Sequence, residues 1–185
     1  MLNHTGTKMI ETARLILRKA EEKDARPMFD NWASDPEVTK YLTWPTHESV
    51  AVSAWVVQDW ISQSEKDNYY QWMIQWKALG QPIGSISVVR QNESIGEMEI
   101  GYCIGKKWWH QGVVSEALAA VIEHLFTQVG VNRIVARHDP RNIHSGHVMQ
   151  KCGMRYEGTA RCADRNNKGI CDAAQYAILR DDWKK

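Results

Sequence analysis

The sequence is poor in the features that would make it a membrane, secreted or nucleic-acid-binding protein. It contains no run of ~18 apolar residues, which argues against a membrane-spanning helix. No basic segment followed by an apolar one stands at its start, so no secretory leader is expected, and the chain reads as cytoplasmic with no membrane partner. A charge excess is also missing: 23 basic residues against 22 acidic ones leave a formal net charge of +1. That balance gives no general electrostatic reason for direct nucleic-acid binding, and any positive site has to be local. The four cysteines, Cys103, Cys152, Cys162 and Cys171, include no Cys-x-x-Cys pair. They read as reduced thiols, not as a zinc knuckle or a disulfide frame. Gly-x-x-x-x-Gly-Lys-Ser/Thr and Gly-x-Gly-x-x-Gly are both absent, which removes the main support for a phosphate-loop kinase or a dinucleotide-dependent dehydrogenase. Internal repeats, low-complexity tracts and linkers are lacking too, so the 185 residues are expected to form one domain, 1–185.

Periodicity supplies the elements. Residues 12–19 place Leu15 and Leu17 on one face of a short strand. A helix follows, with Asp24 as the expected N-cap, Pro27 near the first turn and an apolar stripe of Met28, Phe29 and Trp32, until Asp35-Pro36 breaks the pattern. Residues 37–45 read as a loop with a helical turn. Val52, Trp55, Val56 and Trp60 then recur at helical steps and predict a second helix over 49–61. Strands are expected at 69–79 and 83–90, joined by a turn at 79–82, and a third at 97–104, where interior Gly101 suggests a bulge or a close approach. Val114, Ala117, Leu118, Val121, Ile122, Leu125, Phe126 and Val129 keep one apolar face through a long helix that Gly130 ends. A strand over 131–137, a short helix over 143–152 capped by Asn142, and strands over 155–163 and 170–179 complete the chain. This order predicts a mixed α/β (α+β) fold with about seven strands, mostly antiparallel. The exception is the strand, helix, strand unit over 97–137, which must return parallel to the strand it left.

Residues 99–117 are the chemically richest stretch. The start of the long helix carries backbone N–H groups with no intrahelical partner, and no Ser, Thr, Asp or Asn precedes it as a cap. Gly112 would allow close approach of an anion, and Lys106, Lys107, His110 and the helix dipole would attract one. The competing reading is that Gly112 is itself a tolerated N-cap and the lysines are a solvated surface; spacing alone does not decide between them.

The order of elements, the Glu99-Ile100-Gly101-Tyr102 strand, the turn from Trp109 to Ala117 and the run Asn142-x-x-Ser145-x-x-Val148-x-x-Lys151-x-Gly153-Met154 resemble the GNAT superfamily of acyl-CoA N-acetyltransferases. Within it the chain is most similar to the Rim-type ribosomal-protein N-acetyltransferase branch, which Thr12-x-Arg14-Leu15-x-Leu17-Arg18 and the closing Tyr176, Leu179 and Trp183 also fit. The resemblance implies a GNAT-like sheet whose one parallel strand pair splays into an acyl-CoA cleft. It implies acetyl-CoA as co-substrate, with no metal, and Gln111, Gly112, Val113, Val114 and Ser115 as pyrophosphate contacts. Cys103 and Ile104 on the splayed strand, and Asn142 across from it, would contact the pantetheine arm. Val114 stands where the superfamily usually has Gly or Ala.

Transfer to an amine needs a neutral amine, a polarised thioester carbonyl and a proton for the leaving thiolate. Many relatives use a Tyr on the short helix as that donor; this chain has Met149 there, and the Rim-like pattern points to Ser145 instead. Glu99 is the candidate base. The implied acceptor is a primary amine, either a peptide or protein N-terminus or a small molecule, in a groove shaped by Trp44, Trp55, Tyr69, Tyr70 and Trp72. The missing Tyr also leaves open a non-catalytic acyl-CoA sensor. A metal site at Asp139, His144 and His147 is conceivable, but no His-Glu-x-x-His accompanies them, and the same residues fall around the Asn-x-x-Ser helix start.

Overall fold

The computed structural model describes residues 2–183. Its elements in order are β1 (Ile10–Glu11), β2 (Leu15–Arg18), α1 (Ala25–Met28), α2 (Pro36–Thr39), α3 (Val50–Gln63), β3 (Gln71–Trp76), β4 (Gln81–Asn92), β5 (Glu97–Ile104), α4 (Val113–His124), β6 (Arg133–His138), α5 (Ile143–Lys151), β7 (Arg155–Asn166), β8 (Gly169–Leu179) and α6 (Arg180–Trp183). The strands form one eight-stranded sheet in the order β1-β2-β3-β4-β5-β6-β8-β7. All neighbours are antiparallel except β5 and β6. The strand beyond the expected seven is β1, whose two residues are too few to show a period.

The parallel pair positions the site. β5 and β6 are in register only over Glu97↔Arg133, Met98↔Ile134 and Glu99↔Val135. Past that point β5 stays on β4 as far as Ile104, while β6 stays on β8 as far as His138. The two strands therefore part company halfway along, leaving backbone groups free to face a cleft.

Alternation along the strands feeds two cores on opposite faces. Trp72, Ile74, Ile86, Ile100 and Ile134 pack with Leu118, Val121 and Leu125 of the long helix and Met149 of α5. On the other face Met73 joins Met28, Trp32, Val38 and Val57 under α1, α2 and α3. The long helix ends in a π-helical turn, Leu125–Val129, before Gly130.

Several expectations change. Asp24 does not cap a following helix: its buried carboxylate accepts from the Glu21 N–H at 2.8 Å and from both terminal nitrogens of Arg18 at 2.7 and 2.8 Å. On α3 the buried positions are Ser53 and Val57, while Val52 and Trp55 are 40% and 73% exposed. The largest apolar side chains suggested one face, but packing against the sheet selected the line one residue further round. β3 stops at Trp76, and the hairpin turn is at 77–80, with Pro82 already inside β4. At Gly101 the close approach is present, since a Cβ there would lie 2.9 Å from Val89 Cγ1, while the bulge is on β4, between Val88 and Arg90 opposite Ile100 and Glu99.

Candidate active site

The turn before α4 is held from a distance. Arg14, at the start of the sheet, donates from its backbone N–H and its Nε to the two carboxylate oxygens of Glu116 at 2.9 and 2.7 Å, and from Nη1 to the Gln111 carbonyl at 3.0 Å. Thr12 Oγ1 adds a 2.6 Å bond to Glu116. Although partial burial alone would raise it, these hydrogen bonds and the Arg14 charge hold the Glu116 carboxyl below its usual value. The Thr12-x-Arg14 and Ser115-Glu116 motifs, about a hundred positions apart in the chain, thus form one brace around the turn.

Gly112 is the N-cap residue of α4 at φ +72°, with no side-chain hydrogen bond to the cap. The first intrahelical bond runs from the Glu116 N–H to the Gly112 carbonyl at 3.1 Å, so the N–H groups of Val113, Val114 and Ser115 precede the helical ladder. A Cβ on Gly112 would have Lys151 Nζ at 3.7 Å and Arg14 Nη2 at 3.8 Å as its nearest atoms. The cations at the turn are therefore Lys151 and Arg14; Lys106 and Lys107 do not line the cleft.

Opposite the turn, α5 begins across the splay. Tyr102 on β5 places its hydroxyl 3.0 Å from both the carbonyl oxygen and Oγ of Ser145. His138 at the end of β6 lies so close beneath α5 that a Cβ on Gly146 would sit 2.8 Å from its Nε2. Ser145 and Gly146 are thus seated on the two diverging strands at once. Met149, one turn on, is buried in the core.

These elements enclose a cleft of about 580 Å³. Cys103, Ile104, Gly112, Val113, Val114, Ser115, Asn142 and Ser145 all line it. Burial pushes the Cys103 thiol up from its ordinary value, so it is not a nucleophile in waiting. Gln111 does not line the cleft; its carbonyl is taken by Arg14, and its side-chain amide donates to the Lys107 carbonyl at 2.9 Å. Glu99 is outside it as well, its carboxylate accepting from Arg137 Nε and Nη2 at 2.9 and 3.1 Å with Arg90 at 3.7 Å. Asn142 precedes α5 but makes no side-chain cap hydrogen bond.

Lys40, Tyr102, Arg141 and Lys151 line the cleft without having been singled out as site residues by sequence. Two of them carried a signal, Tyr102 in the Glu-Ile-Gly-Tyr strand and Lys151 in the run from Asn142 to Met154. Of the expected acceptor-groove aromatics, Tyr70 and Trp72 are core residues and Trp55 is exposed on the outer side of α3; the tryptophans at the cleft are Trp108 and Trp109. His110, His144 and His147 cluster at the cleft, with ring centroids 4.6 and 6.3 Å apart in sequence. Among the described residues no three His, Cys, Asp or Glu side chains are placed to hold a metal ion, and no helix is long and apolar enough to cross a membrane.

A half-splayed parallel pair, a left-handed glycine at an uncapped helix start and a cleft lined by Lys40, Arg141 and Lys151 meet on one side of the sheet, a shape suited to a long anionic ligand. The comparisons give the family. Residues 14–155 match the Acetyltransferase (GNAT) domain, and the chain belongs to that family. It is 30% identical over 172 residues to the uncharacterized N-acetyltransferase p20 of Bacillus licheniformis, covering 93% of this chain and 96% of that one. It is 32% identical over 84 residues, 45% of this chain and 43% of the other, to the [ribosomal protein uS5]-alanine N-acetyltransferase of Escherichia coli (strain K12). Among solved structures, an acetyltransferase of the GNAT family from Bacillus anthracis superposes with a TM-score of 0.82 at 26% identity, covering 94% of this chain and 99% of that one. The chain is accordingly an acetyl-CoA-dependent N-acetyltransferase. Its residues fit the donor: Gly112 offers room where a phosphate would approach, with Lys151 and Arg14 beside it.

Proposed function

We propose that the protein acetylates a primary amine, with the α-amine of a peptide or protein N-terminus as the first acceptor to test and small amines as the second. The observation that carries the reading is the convergence of eight residues, from three separate elements and the turn, on one cleft. Similarity to a uS5-alanine N-acetyltransferase supports the peptide acceptor. In this reading Gly112, Val113, Val114 and Ser115 hold the pyrophosphate, while Cys103, Ile104 and Asn142 flank the pantetheine arm. Gln111 contributes through the turn that Arg14 braces and not through its side chain. When bound, acetyl-CoA supplies an activated acetyl group on sulfur. Ser145 donates a hydrogen bond to that sulfur as it leaves.

Glu99 does not suit the part of general base, because a base must reach the proton it removes and this carboxylate is engaged by Arg137 outside the cleft. Its place is at the last paired position before β5 and β6 diverge, where the ion pair ties the apex of the splay.

A continuous assay of thiol release from acetyl-CoA, run over peptides with free N-termini and over polyamines, tests the reading. Turnover with one acceptor class is expected. Thermal stabilisation by acetyl-CoA with no thiol released from any amine would leave only a binding role. In the same assay Glu99→Gln should keep the pH profile of turnover while lowering thermal stability; a fall of ~100-fold or more would restore it as the base.

A further inference from the structure

We propose that Tyr102 is the positioning residue of the acetyl-transfer site, its hydroxyl orienting Ser145 so that the serine proton points into the cleft. This rests on the reading of Ser145 as the sulfur's hydrogen-bond donor, and supplies what that reading lacks. A serine hydroxyl rotates freely among three staggered positions, and one residue at the start of a helix has nothing of its own to choose among them.

The geometry narrows the choice to two arrangements, which Tyr102 exchanges by turning one O–H bond. Tyr102 comes off β5 on the face that carries Ile100 and Ile104, beneath α5, and among the described residues its hydroxyl hydrogen-bonds only with Ser145, at 3.0 Å from Oγ and 3.0 Å from the carbonyl oxygen. A phenol has one proton to give. When Tyr102 donates it to Ser145 Oγ, the serine proton cannot point back along the same line and turns to the open side, the cleft that Ser145 lines. When Tyr102 donates to the carbonyl, the serine proton can instead turn toward the phenol oxygen and away from the cleft. The two arrangements differ by rotation of one O–H bond, and developing negative charge in the cleft favours the first, because it accepts the serine proton.

Tyr102 does not itself deliver the proton. Burial, only partly offset by the Ser145 hydrogen bond, drives its ionisation far above that of an ordinary tyrosine, so it stays a neutral donor before and after transfer. The proton balance closes without it. As the C–N bond forms from the amine's electron pair and the C–S bond breaks with its pair going to sulfur, the amine loses one proton and sulfur gains one. Ser145 passes that proton hand to hand, receiving it at Oγ and releasing its own toward sulfur. Ser145 takes the part of the donor absent from α5, where Met149 is a core residue, and Tyr102 steadies it from the strand below.

The test uses CoA itself as the probe, so that no acceptor needs to be known. The ionisation of the bound CoA thiol is followed by the ultraviolet absorbance of the thiolate in the wild type, Tyr102→Phe, Ser145→Ala and the double variant. The wild type should hold the bound thiol at a lower pKa than free CoA. Ser145→Ala should abolish that shift, Tyr102→Phe should remove most of it, and the double variant should match Ser145→Ala alone. With an acceptor found by the amine panel, Tyr102→Phe should lower kcat about tenfold, equivalent to ~1.4 kcal/mol, and leave the acetyl-CoA KM within about twofold. Tyr102→Phe with wild-type thiol ionisation, beside a Ser145→Ala variant that has lost the shift, overturns the role of Tyr102 and leaves Ser145 in place. Loss of the shift in Tyr102→Phe but not in Ser145→Ala means that Tyr102 acts directly and overturns positioning. A double variant whose shift is the sum of two independent losses overturns it as well. Phenylalanine keeps the ring, so retained CoA affinity and melting temperature accompany each valid reading.

Discussion

Two glycines in the cleft wall do opposite things, and their substitutions should separate binding from folding. A Cβ on Gly112 would make only ordinary contacts, but at a left-handed φ of +72°; Gly146 is buried in a helix, with His138 Nε2 2.8 Å from where a Cβ would stand. Gly112→Asp places a carboxylate where phosphates are expected, and should abolish acetyl-CoA binding in calorimetry while costing the fold only the ~1–2 kcal/mol of a non-glycine left-handed residue. Gly146→Ala should cost ~1–3 kcal/mol of stability by overpacking. It should also shift α5, so that turnover falls while the acetyl-CoA affinity set by the turn changes little. A Gly112→Asp protein that still binds acetyl-CoA would put the phosphate site elsewhere.

At the scale of elements, the anion site proposed at the helix start depends on another element to hold it in place. α4 has no capping side chain, and the loop before it contains two residues in the left-handed region, His110 at φ +60° and Gly112. Such a loop keeps its shape only when its surroundings over-determine it. Arg14 and Thr12 do so through Glu116 and the Gln111 carbonyl. Arg14→Ala is therefore expected to weaken acetyl-CoA binding by about tenfold or more, since it removes a charge beside the proposed phosphate site together with the brace. Glu116→Gln keeps the shape and loses the charge pairing, and should weaken binding less. Equal and negligible effects of the two, read by titration calorimetry, would show that the turn holds itself.

At the scale of the whole molecule, the far end of the sheet is locked by Asp139. Its carboxylate accepts from Arg141 at 2.6 to 3.1 Å and from the Asn166 amide at 2.8 Å, joining the β6–α5 junction to the end of β7. Asn167 continues the lock, donating to the Thr39 and Trp44 carbonyls at 2.8 Å each. Hydrogen bonding from Arg141, partly opposed by burial and helped by Asn166, holds the Asp139 carboxyl well below the usual carboxylate range. The folded value lies below the unfolded one of ~3.9, so the unfolded chain binds more protons as pH falls through that window. The stabilisation is fully present above about pH 5 and is lost from about pH 4 downward. Asp139→Asn should cost ~1–3 kcal/mol at neutral pH. The difference in melting temperature from the wild type should narrow below about pH 4; a gap that is constant across pH would mean that the aspartate charge contributes nothing.

How much of this was legible in the chain follows from the range of each interaction. The long helix, its stop at Gly130, the β5 strand and the short helix with Asn142 before it are written in local periodicity and turn chemistry, and the structure repeats them nearly residue for residue. The glycine turn carries two readings in the sequence, an anion site or a tolerated cap, because an uncapped helix start looks the same whether water or a ligand faces it. The buried face of α3 was misread, since size and hydrophobicity name the residues able to pack, whereas the sheet beneath decides which of them do. Sequence by itself thus determined the longer elements, their order and the family pattern they make, but not the two-residue β1 or the short α6. Only the tertiary structure decided that Arg14 reaches Glu116, that Glu99 is tied to Arg137 and that Tyr102 meets Ser145, because each joins residues 38 to 102 positions apart. No local pattern encodes such a meeting; it follows from strand register and from where the sheet splits.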